Sequence, residues 1–534
     1  MNKTIIILFI LLIAATLCPN VSCFTDTQIL PKYISTFIIG GIVGTCISII
    51  LLTKRMIVWN FKTISVIIVM LCTIEAGIGI LQFCNLLPPA SHYYSITGSF
   101  DNPAGFAICL CIEIPFNLYL LRKHNKHRLN LCYLSSFLII LTGIILSESR
   151  AGLLSTTIIL VLYFIHKYKN RIFLKRNIGL LSITLLFFII LILFASYYAK
   201  RDSADGRLLI WRCTWEMIKD SPLTGHGTGA FNKYYMDYQA AYFEKHPNSR
   251  FALLADNVKH PFNEYLSITV QFGLIGLLIL TLIVIFLYSC YRKAPSREGY
   301  FSLLTLLSIA IFSFFSYPFT YPFTWIITIF CLVSIIMKTY GDVYIKHFFL
   351  RSSIGICLLS ISFVSLYMTS KRIKAELNWK QTVEAVSSGE TNEALLQYAT
   401  LMKSLGNNPY FLYNYTVELY LNEDYINCLK IAQKCQSYWS DYDLELIQAE
   451  AYTDMNIHDK AIMHLQKARY MCPARFIPLY ELFQLYKTIG KIEDAKNIAK
   501  IIINKPVKIP SSKINFIQTE IRAFLDKQNM SLYN

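Results

Sequence analysis

Residues 266–290 read LSITVQFGLIGLLILTLIVIFLYSC, a stretch of 25 residues without a charged side chain. An α-helix needs about 20 mainly apolar residues to cross the hydrocarbon core of a bilayer. Water is absent from that core, so a single span must pair its backbone polar groups within itself, as a helix does. The stretch therefore predicts a transmembrane helix.

Comparable apolar runs recur along the chain. The 534 residues are 54% hydrophobic and 16% charged, whereas an ordinary soluble domain is about 25% charged. The spans are predicted at 4–17, 33–53, 63–83, 104–121, 131–147, 151–165, 178–197, 266–290, 301–316, 322–337 and 352–369. We expect the first to remain as an uncleaved helix, the alternative being a secretory signal cleaved near Cys23. Asn20 argues against a lipoprotein site, because such a signal would want Leu there. Residues 1–370 are thus predicted to form an all-α, polytopic membrane bundle of about 11–12 helices.

The basic residues predict the orientation of the bundle. Alternate short loops carry eighteen Lys and Arg residues, whereas the intervening ones carry only Lys32 and Arg150. Because basic loops stay in the cytoplasm, the N-terminus is predicted to be cytoplasmic, with residues 198–265 and everything after 369 outside. The formal charge of +17 mostly reflects this topology. No nucleic-acid partner is expected, since that would need basic residues clustered on one soluble face.

Residues 371–534 lose the long apolar runs and show a helical repeat. Small residues recur at intervals of 34, 33 and 34, at Ala394, Cys428, Ala461 and Ala495. Turn positions recur in the same way at Gly389, Asn422, Asn456 and Gly490, and Pro473 and Pro506 end two of the repeats. A period of 34 with a small residue in the second helix resembles the tetratricopeptide repeat. The tail is therefore predicted to be an α-solenoid that binds a protein partner on its concave face, or else to be a spacer.

The first cluster of interest on the outer side is Ser149-Arg150-Ala-Gly152, between the fifth and sixth spans. An Arg in a tight turn between apolar helices is costly unless it is paired or faces a polar cavity. The alternative is an Arg whose head group reaches the membrane surface while its stem stays in the apolar layer. The intramembrane carboxylates Glu75 and Glu113 are also functional candidates in principle, but no pairing in the sequence makes them a proton relay.

The second cluster opens the large loop with Gly206-Arg207 and continues to Trp215. Residues 207–219 are predicted to form an amphipathic helix, with one face made of Leu208, Trp211, Trp215 and Ile218. Such a helix can lie in the membrane interface, where Arg207 and Arg212 would address an anionic head group. The glycine-rich segment 225–229 lacks the Lys-Ser/Thr pair and the preceding strand of a nucleotide site. A bend that returns the loop to the membrane is the preferred interpretation.

The third cluster, Lys259-His260-Pro-Phe262-Asn263-Glu-Tyr-Leu266, directly precedes the eighth span. His titrates closest to neutral pH and is therefore suited to proton transfer. A structural role for a single interfacial His is the alternative. No pair of the fifteen Cys residues has metal-ligand spacing, and neither a metal nor another cofactor is predicted.

In this order, the clusters resemble the O-antigen ligase and polymerase superfamily of bacterial envelope glycosyltransferases, over about residues 60–340. Thr97-Gly-Ser-Phe-Asp-Asn102-Pro103 is similar to the family's G-x-F-x-N-P segment. The other pieces are Ser149 to Gly152, Gly206 to Trp211 with Pro222-Leu-Thr-Gly-His-Gly, and His260 to Leu266 with Gly273-Leu-Ile-Gly276. The resemblance implies a bacterial inner-membrane enzyme, with its large loop and its tail in the periplasm.

The resemblance also implies the reaction, transfer of a glycan from undecaprenyl diphosphate to a periplasmic acceptor without metal or nucleotide. The family's essential Arg residues match Arg150 and Arg207, and its essential His matches His260. Arg212, Asn102 and Asn263 are predicted to bind substrate. Many relatives have His-x-His-Asn here, whereas this chain has Phe262 in place of the second His. If that second His is the family's base, the assignment of His260 fails.

Three acceptors are compatible with this enzyme class. A lipid A-core acceptor would make the chain an O-antigen ligase, which we rank first. A second lipid-linked repeat unit would make it a polymerase, and a Ser or Thr of a protein would make it an O-oligosaccharyltransferase. The non-enzyme alternative is a transporter of lipid-linked glycans, against which the spans show no internal repeat and no pair of Gly/Pro-broken helices.

Overall fold

A computed structural model describes residues 2–17, 20–53, 60–91, 93–123, 127–172, 198, 201–340 and 348–530. All regular structure within these residues is helical. The chain divides into two units. Unit 1 comprises residues 1–199, 262–265 and 278–381, and unit 2 comprises residues 200–261, 266–277 and 382–534.

Unit 1 is a bundle of apolar helices. They are α1 (Asn2–Thr16), α2 (Leu30–Leu52), α3 (Phe61–Phe83), α4 (Pro103–Lys123), α5 (His127–Leu146), α6 (Arg150–Ile172), α9 (Glu264–Lys293, which also contributes to unit 2), α10 (Arg297–Ser313), α11 (Pro322–Tyr340) and the first part of α12 (Phe348–Ser387). Eight of the described helices are long and apolar enough to cross a membrane. The prediction of a polytopic helical bundle is therefore confirmed for the described part of the chain.

The predicted spans agree with these helices wherever they can be compared. Helices cover ten of the eleven predicted spans, and the seventh, 178–197, lies outside the described residues. The first is only a short apolar helix, and the helix at 301–316 is 17 residues long, so neither is among the eight. The sixth is longer than predicted because α6 continues to Ile172.

Helix α4 lies at the centre of unit 1, since 89% of the residues in its apolar stretch are buried. Pro115 lies inside this helix and has no N–H to donate to the carbonyl of Cys111. The hydroxyl of Ser308 on α10 donates to that carbonyl at 3.2 Å, and Ser155 on α6 lies 2.8 Å from the same hydroxyl. Neighbouring hydroxyls therefore satisfy the backbone group that the proline leaves open, as an apolar environment requires.

Unit 2 contains α7 (Arg201–Asp220) and α8 (Ala230–Lys245) together with the tail. The tail helices are α13 (Thr391–Leu405), α14 (Pro409–Leu421), α15 (Tyr425–Gln436), α16 (Tyr442–Asp454), α17 (His458–Met471), α18 (Ile477–Thr488), α19 (Ile492–Asn504) and α20 (Ser512–Met530). The pairs α14–α15, α16–α17 and α18–α19 pack as hairpins. The division between the units falls after Gln381, within the unbroken helix α12.

The recurring small residues of the tail have a clear packing reason. Ala394, Cys428, Ala461 and Ala495 are all fully buried, each at the fourth position of its helix. A larger side chain there would separate helices that pack closely. Asn422 lies in the second turn as predicted, and the left-handed residue of that turn is its neighbour Glu423 (φ 61°). The left-handed turn residues thereby follow the same 34, 33 and 34 spacing as the small residues, at Gly389, Glu423, Asn456 and Gly490.

Candidate functional site

The segment before α4, which contains the G-x-F-x-N-P motif, is held by buried polar side chains of α3. Glu75 accepts a hydrogen bond from the backbone N–H of Ser99 at 2.6 Å, and Gln82 accepts one from Gly98 at 2.7 Å. Gly98 has a left-handed backbone (φ +57°), and a Cβ there would lie 2.2 Å from Glu75 Oε1. Glu75 therefore anchors this segment, and the motif requires a glycine at position 98.

Asn102 caps α4. Its Oδ1 accepts hydrogen bonds from the backbone N–H groups of Ala104 and Gly105 at 2.9 and 3.0 Å, and Pro103 occupies the first helical position. This arrangement is favoured at helix N-termini because it satisfies groups that have no partner in the helix. Its Nδ2 donates to the hydroxyls of Tyr321 at 2.9 Å and Tyr317 at 3.2 Å. Asn102 was predicted to bind substrate, and the structure gives it a role in organising this end of α4.

Residues 262–265 also belong to unit 1. Phe262 has a left-handed backbone (φ 52°), which is strained for a bulky residue. Its ring packs on that of Tyr317, with 5.3 Å between the ring centroids. Asn263 is buried, and Glu264 accepts a hydrogen bond from the backbone N–H of Phe319 at 3.1 Å. Because Tyr317 also contacts Asn102, two of the segments that carry the resemblance meet at one tyrosine.

Sequence reasoning missed two features of this region. Lys32, which served only to predict the orientation, is 1% exposed, and its Nζ donates to Ser99 Oγ at 3.2 Å. The tyrosines of the Tyr317-Pro-Phe-Thr-Tyr321-Pro repeat carry the contacts of Asn102. The position of Lys32 directly before an apolar run was a signal in the sequence, since a charged side chain is costly there unless it has a partner.

Arg150 is the first residue of α6 and is half-buried. Ser149 caps the helix by accepting a hydrogen bond from the N–H of Gly152 at 3.2 Å. A Cβ at Gly152 would lie 3.3 Å from the Cβ of Ala107, so the glycine allows α6 to approach α4 closely. The N-terminus of a long helix carries a partial positive charge. The guanidinium and the helix end therefore both favour an anion at this place.

In unit 2, α7 is longer than predicted and buries a different face. Ile210, Cys213 and Met217 are buried, whereas Leu208 and Trp215 are 43% and 54% exposed. The helix has two apolar faces: it packs against α8 with one of them, while Leu208 and Trp215 of the predicted face stay exposed. An exposed Leu and Trp on a helix that also carries arginines is a pattern typical of membrane interfaces.

The structure brings the segment of Arg207 and that of His260 together. Trp211 lies one turn after Arg207 on the same side of α7, and its Nε1 donates to the carbonyl of Pro261 at 2.9 Å. His260, which directly precedes Pro261, is half-buried. Arg212 is placed elsewhere, since its guanidinium lies 5.2 Å from the ring of Tyr242 on α8.

The glycine-rich segment after α7 interlocks with a break in α9. His226 N donates to Val270 O at 2.8 Å and Leu274 N donates to Pro222 O at 2.8 Å. Gly273 breaks α9 with φ 62° and ψ −160°, and a Cβ there would lie 2.1 Å from Leu223 O. This break lies within the predicted eighth span, 266–290, where the apolar run alone did not indicate it. Its physical reason is the backbone pairing, which needs a glycine at the crossing.

The predicted site residues fall into both units. Arg207, Arg212 and His260 belong to unit 2, whereas Asn102, Arg150 and Asn263 belong to unit 1. Among the described residues, no group of three or more His, Cys, Asp or Glu side chains is arranged to hold a metal ion.

The apolar helices define a multi-pass helical membrane protein. Within it, residues 135–281 match the protein family described as O-Antigen ligase. The matched residues include Arg150, Arg207, Arg212, His260 and Asn263. The matched segment is shorter than the expected one of about 60–340, and the motif from Gly98 to Pro103 lies outside it. Comparison with curated proteins and with solved structures gave no match. The family match supports a membrane glycosyltransferase of the ligase or polymerase type.

Proposed function

We propose that this protein is an O-antigen ligase, which transfers a glycan from undecaprenyl diphosphate to lipid A-core. The observation that carries the proposal is the hydrogen bond from Trp211 to Pro261, within the residues that match the ligase family. It joins the helix that carries Arg207 to the segment that carries His260. The transfer needs a cation that stabilises the leaving diphosphate and a base that accepts the proton of the acceptor hydroxyl.

The chemistry assigns a role to each residue. As the glycosyl C–O bond breaks, negative charge collects on the leaving undecaprenyl diphosphate. A guanidinium stays charged and presents forked donors to phosphate oxygens, so Arg207 stabilises this charge in the transition state. We propose that Arg150 also binds phosphate oxygens, because its position at the first turn of α6 favours an anion.

His260 is the proposed general base. It accepts the proton of the acceptor hydroxyl as the new glycosidic bond forms, a contribution of about 10²–10⁴-fold. Phe262 has no group that can take up a proton, and it packs on Tyr317. The His-Pro-Phe-Asn sequence therefore leaves His260 as the histidine of this segment.

The proposed location follows from the basic loops. The enzyme lies in the bacterial inner membrane with a cytoplasmic N-terminus, and residues 198–265 and the tail lie in the periplasm. The tail is proposed to be a tetratricopeptide-like solenoid, supported by the helical hairpins and by the buried small residues at regular spacing.

Transfer by purified protein tests the proposal. The protein, in nanodiscs, is given purified undecaprenyl-diphosphate-linked glycan and lipid A-core, without ATP or added metal. We expect Arg207→Ala and His260→Ala each to lower the rate at least about 100-fold, since each removes one of the two proposed contributions. The matched controls are Arg201→Ala on the same helix and His246→Ala, both exposed side chains, which should retain wild-type rates.

Wild-type transfer by both site variants would refute the mechanism. The acceptor is tested separately by the lipopolysaccharide of a deletion strain. Loss of the whole ladder supports the ligase, whereas a single-repeat band indicates a polymerase. An intact ladder with unmodified glycoproteins would indicate a protein O-oligosaccharyltransferase instead.

A further inference from the structure

The segment that precedes Phe262 is held by the tail. We call residues 255–261 the strap. Asp256 forms an ion pair with Arg475 at 2.7 Å, and Asn257 Nδ2 donates to Asp441 Oδ2 at 2.6 Å. Both partners lie in the connections between the helical hairpins of the tail, so the strap is joined to residues that lie far later in the sequence.

Lys259 makes the most specific of these contacts. Its Nζ lies 4.6 Å from the ring centroid of Trp439 and 4.8 Å from that of Tyr410. Burial lowers the pKa of Lys259, while the nearby Asp441 and Asp443 raise it. The two rings therefore form an aromatic clamp around an ammonium group, an arrangement that is favourable when the cation has lost much of its water.

Helix α8, which precedes the strap, is also fixed to the tail. Gln239 is fully buried, and its Nε2 donates to the carbonyls of Met471 at 2.6 Å and Asp256 at 3.0 Å. Lys467 forms ion pairs with Asp237 on α8 and with Glu445 on α16, both at 2.8 Å. A buried amide is costly without partners, so these contacts indicate a specific attachment and not an incidental one.

The other end of the strap is held by α7. The carbonyl of Pro261 accepts the hydrogen bond of Trp211 at 2.9 Å. His260 thus lies between two anchored neighbours, with Lys259 fixed on the tail and Pro261 fixed on α7. A restraint on both sides limits the backbone of the histidine to a narrow range of positions, which is what a positioned base requires.

We infer that the tail is a positioning element for the proposed base, and that Lys259 is the positioning residue that couples the two. This inference rests on the proposed function. It assigns a partner within the same chain to the face of the tail around Tyr410, Trp439 and Asp441.

The test compares variants of the full-length protein in the transfer reaction. Lys259→Met keeps the length of the side chain but removes its charge, and it should lower kcat about ten-fold while KM for the lipid-linked donor changes less than about two-fold. Lys259→Arg keeps a cation that stacks on aromatic rings and should restore at least half of the rate. Lys245→Met, an exposed lysine at the end of α8, is the control and should behave as wild type.

Trp439→Leu provides an independent variant of the clamp. If the clamp acts as a unit, the double variant Lys259→Met/Trp439→Leu should be no slower than either single variant. Limited proteolysis at Arg250, shortly before the strap, gives a readout that does not depend on catalysis, and both single variants should be cut there faster than wild type.

The two proposals fail in different ways. Wild-type kcat in Lys259→Met and Trp439→Leu, with transfer by the wild-type protein, would overturn the positioning role alone. A wild-type protein that shows no transfer would overturn the proposed function. In that case equal proteolysis of wild type and both variants would also overturn the clamp.

Discussion

The segment 97–103 of unit 1 and the strap of unit 2 are both irregular, and they are held by different means. The first is fixed by Glu75 and Gln82, which lie shortly before it in the sequence, inside an apolar bundle. The strap is fixed by an ion pair, an amide hydrogen bond and an aromatic clamp, all with residues of the distant tail. Unit 1 therefore tolerates little change in volume or backbone, whereas unit 2 depends on polar partners and on solution conditions.

Both units contain buried cysteines, which allow this difference to be measured. Cys72 and Cys109 are fully buried in unit 1, as are Cys428 and Cys435 in unit 2. Thiol labelling during a thermal ramp, followed by peptide mass spectrometry, reports the unfolding of each unit in one sample. The predictions below use this measurement.

The largest expected effect is that of Gly98→Ala on unit 1. Its Cβ would collide with Glu75 Oε1, and the left-handed backbone is unfavourable for alanine. We expect a loss of about 3 kcal/mol in the stability of unit 1, seen as labelling of Cys72 at lower temperature.

The matched control for this substitution is Gly206→Ala on α7. No neighbouring atom lies within 4 Å of the Cβ built there, and alanine favours a helix by about 1 kcal/mol over glycine. Gly206→Ala should therefore leave both units at least as stable as in the wild type. Equal melting of Gly98→Ala and wild type would contradict the account of the motif.

A smaller effect is expected from Gln239→Leu in unit 2. The change leaves the carbonyls of Met471 and Asp256 without their buried donor, at a cost of about 2 kcal/mol. Cys472, which is buried beside Met471, should become labelled at lower temperature, while Cys72 should not change. Equal shifts in both units would contradict the assignment of α8 to the tail.

The smallest expected effect is a pH effect on unit 2. Burial alone would raise the pKa of Glu445, but the hydrogen bond from His464 and the charge of Lys467 outweigh it, and the pKa lies below its ordinary value of 4.5. A carboxyl with a lowered folded pKa stabilises the protein above its unfolded pKa, and this contribution is lost as the pH falls through the folded value. Unit 2 should therefore melt earlier as the pH falls from about 5 towards 3.

The control is Glu445→Gln, which has no carboxyl to titrate. It should reduce the dependence of the labelling of Cys428 on pH over this range. A slope as steep as in the wild type would show that other carboxyls cause the effect.

These contrasts also explain what the sequence could predict. The spans were predictable because an apolar run identifies a membrane helix by length and composition alone. The small residues of the tail were predictable because their regular spacing can be read directly from the sequence. The buried face of α7 was not predictable, since Leu208 and Ile210 are equally apolar and only the packing of α8 decides between them.

The contacts of the candidate site divide in the same way. Asn102-Pro103 can be recognised locally as a helix start, whereas the pairing of Lys259 with Trp439 depends on residues distant in the sequence. The break at Gly273 was hidden for the same reason, because the glycine lies in an apolar run and its cause is the backbone of Leu223. The roles of Arg150, Arg207 and His260 stay predictions until transfer is measured.

The attachment of the strap to Trp439 and Arg475 has a consequence for biosynthesis. A ribosome completes α7, α8 and the strap well before it reaches the tail. The tail residues that contact the strap and α8 are therefore synthesised later than the segments they hold. The strap reaches its final conformation only after most of the chain has been translated. A prematurely terminated protein would therefore lack the partners that hold the strap.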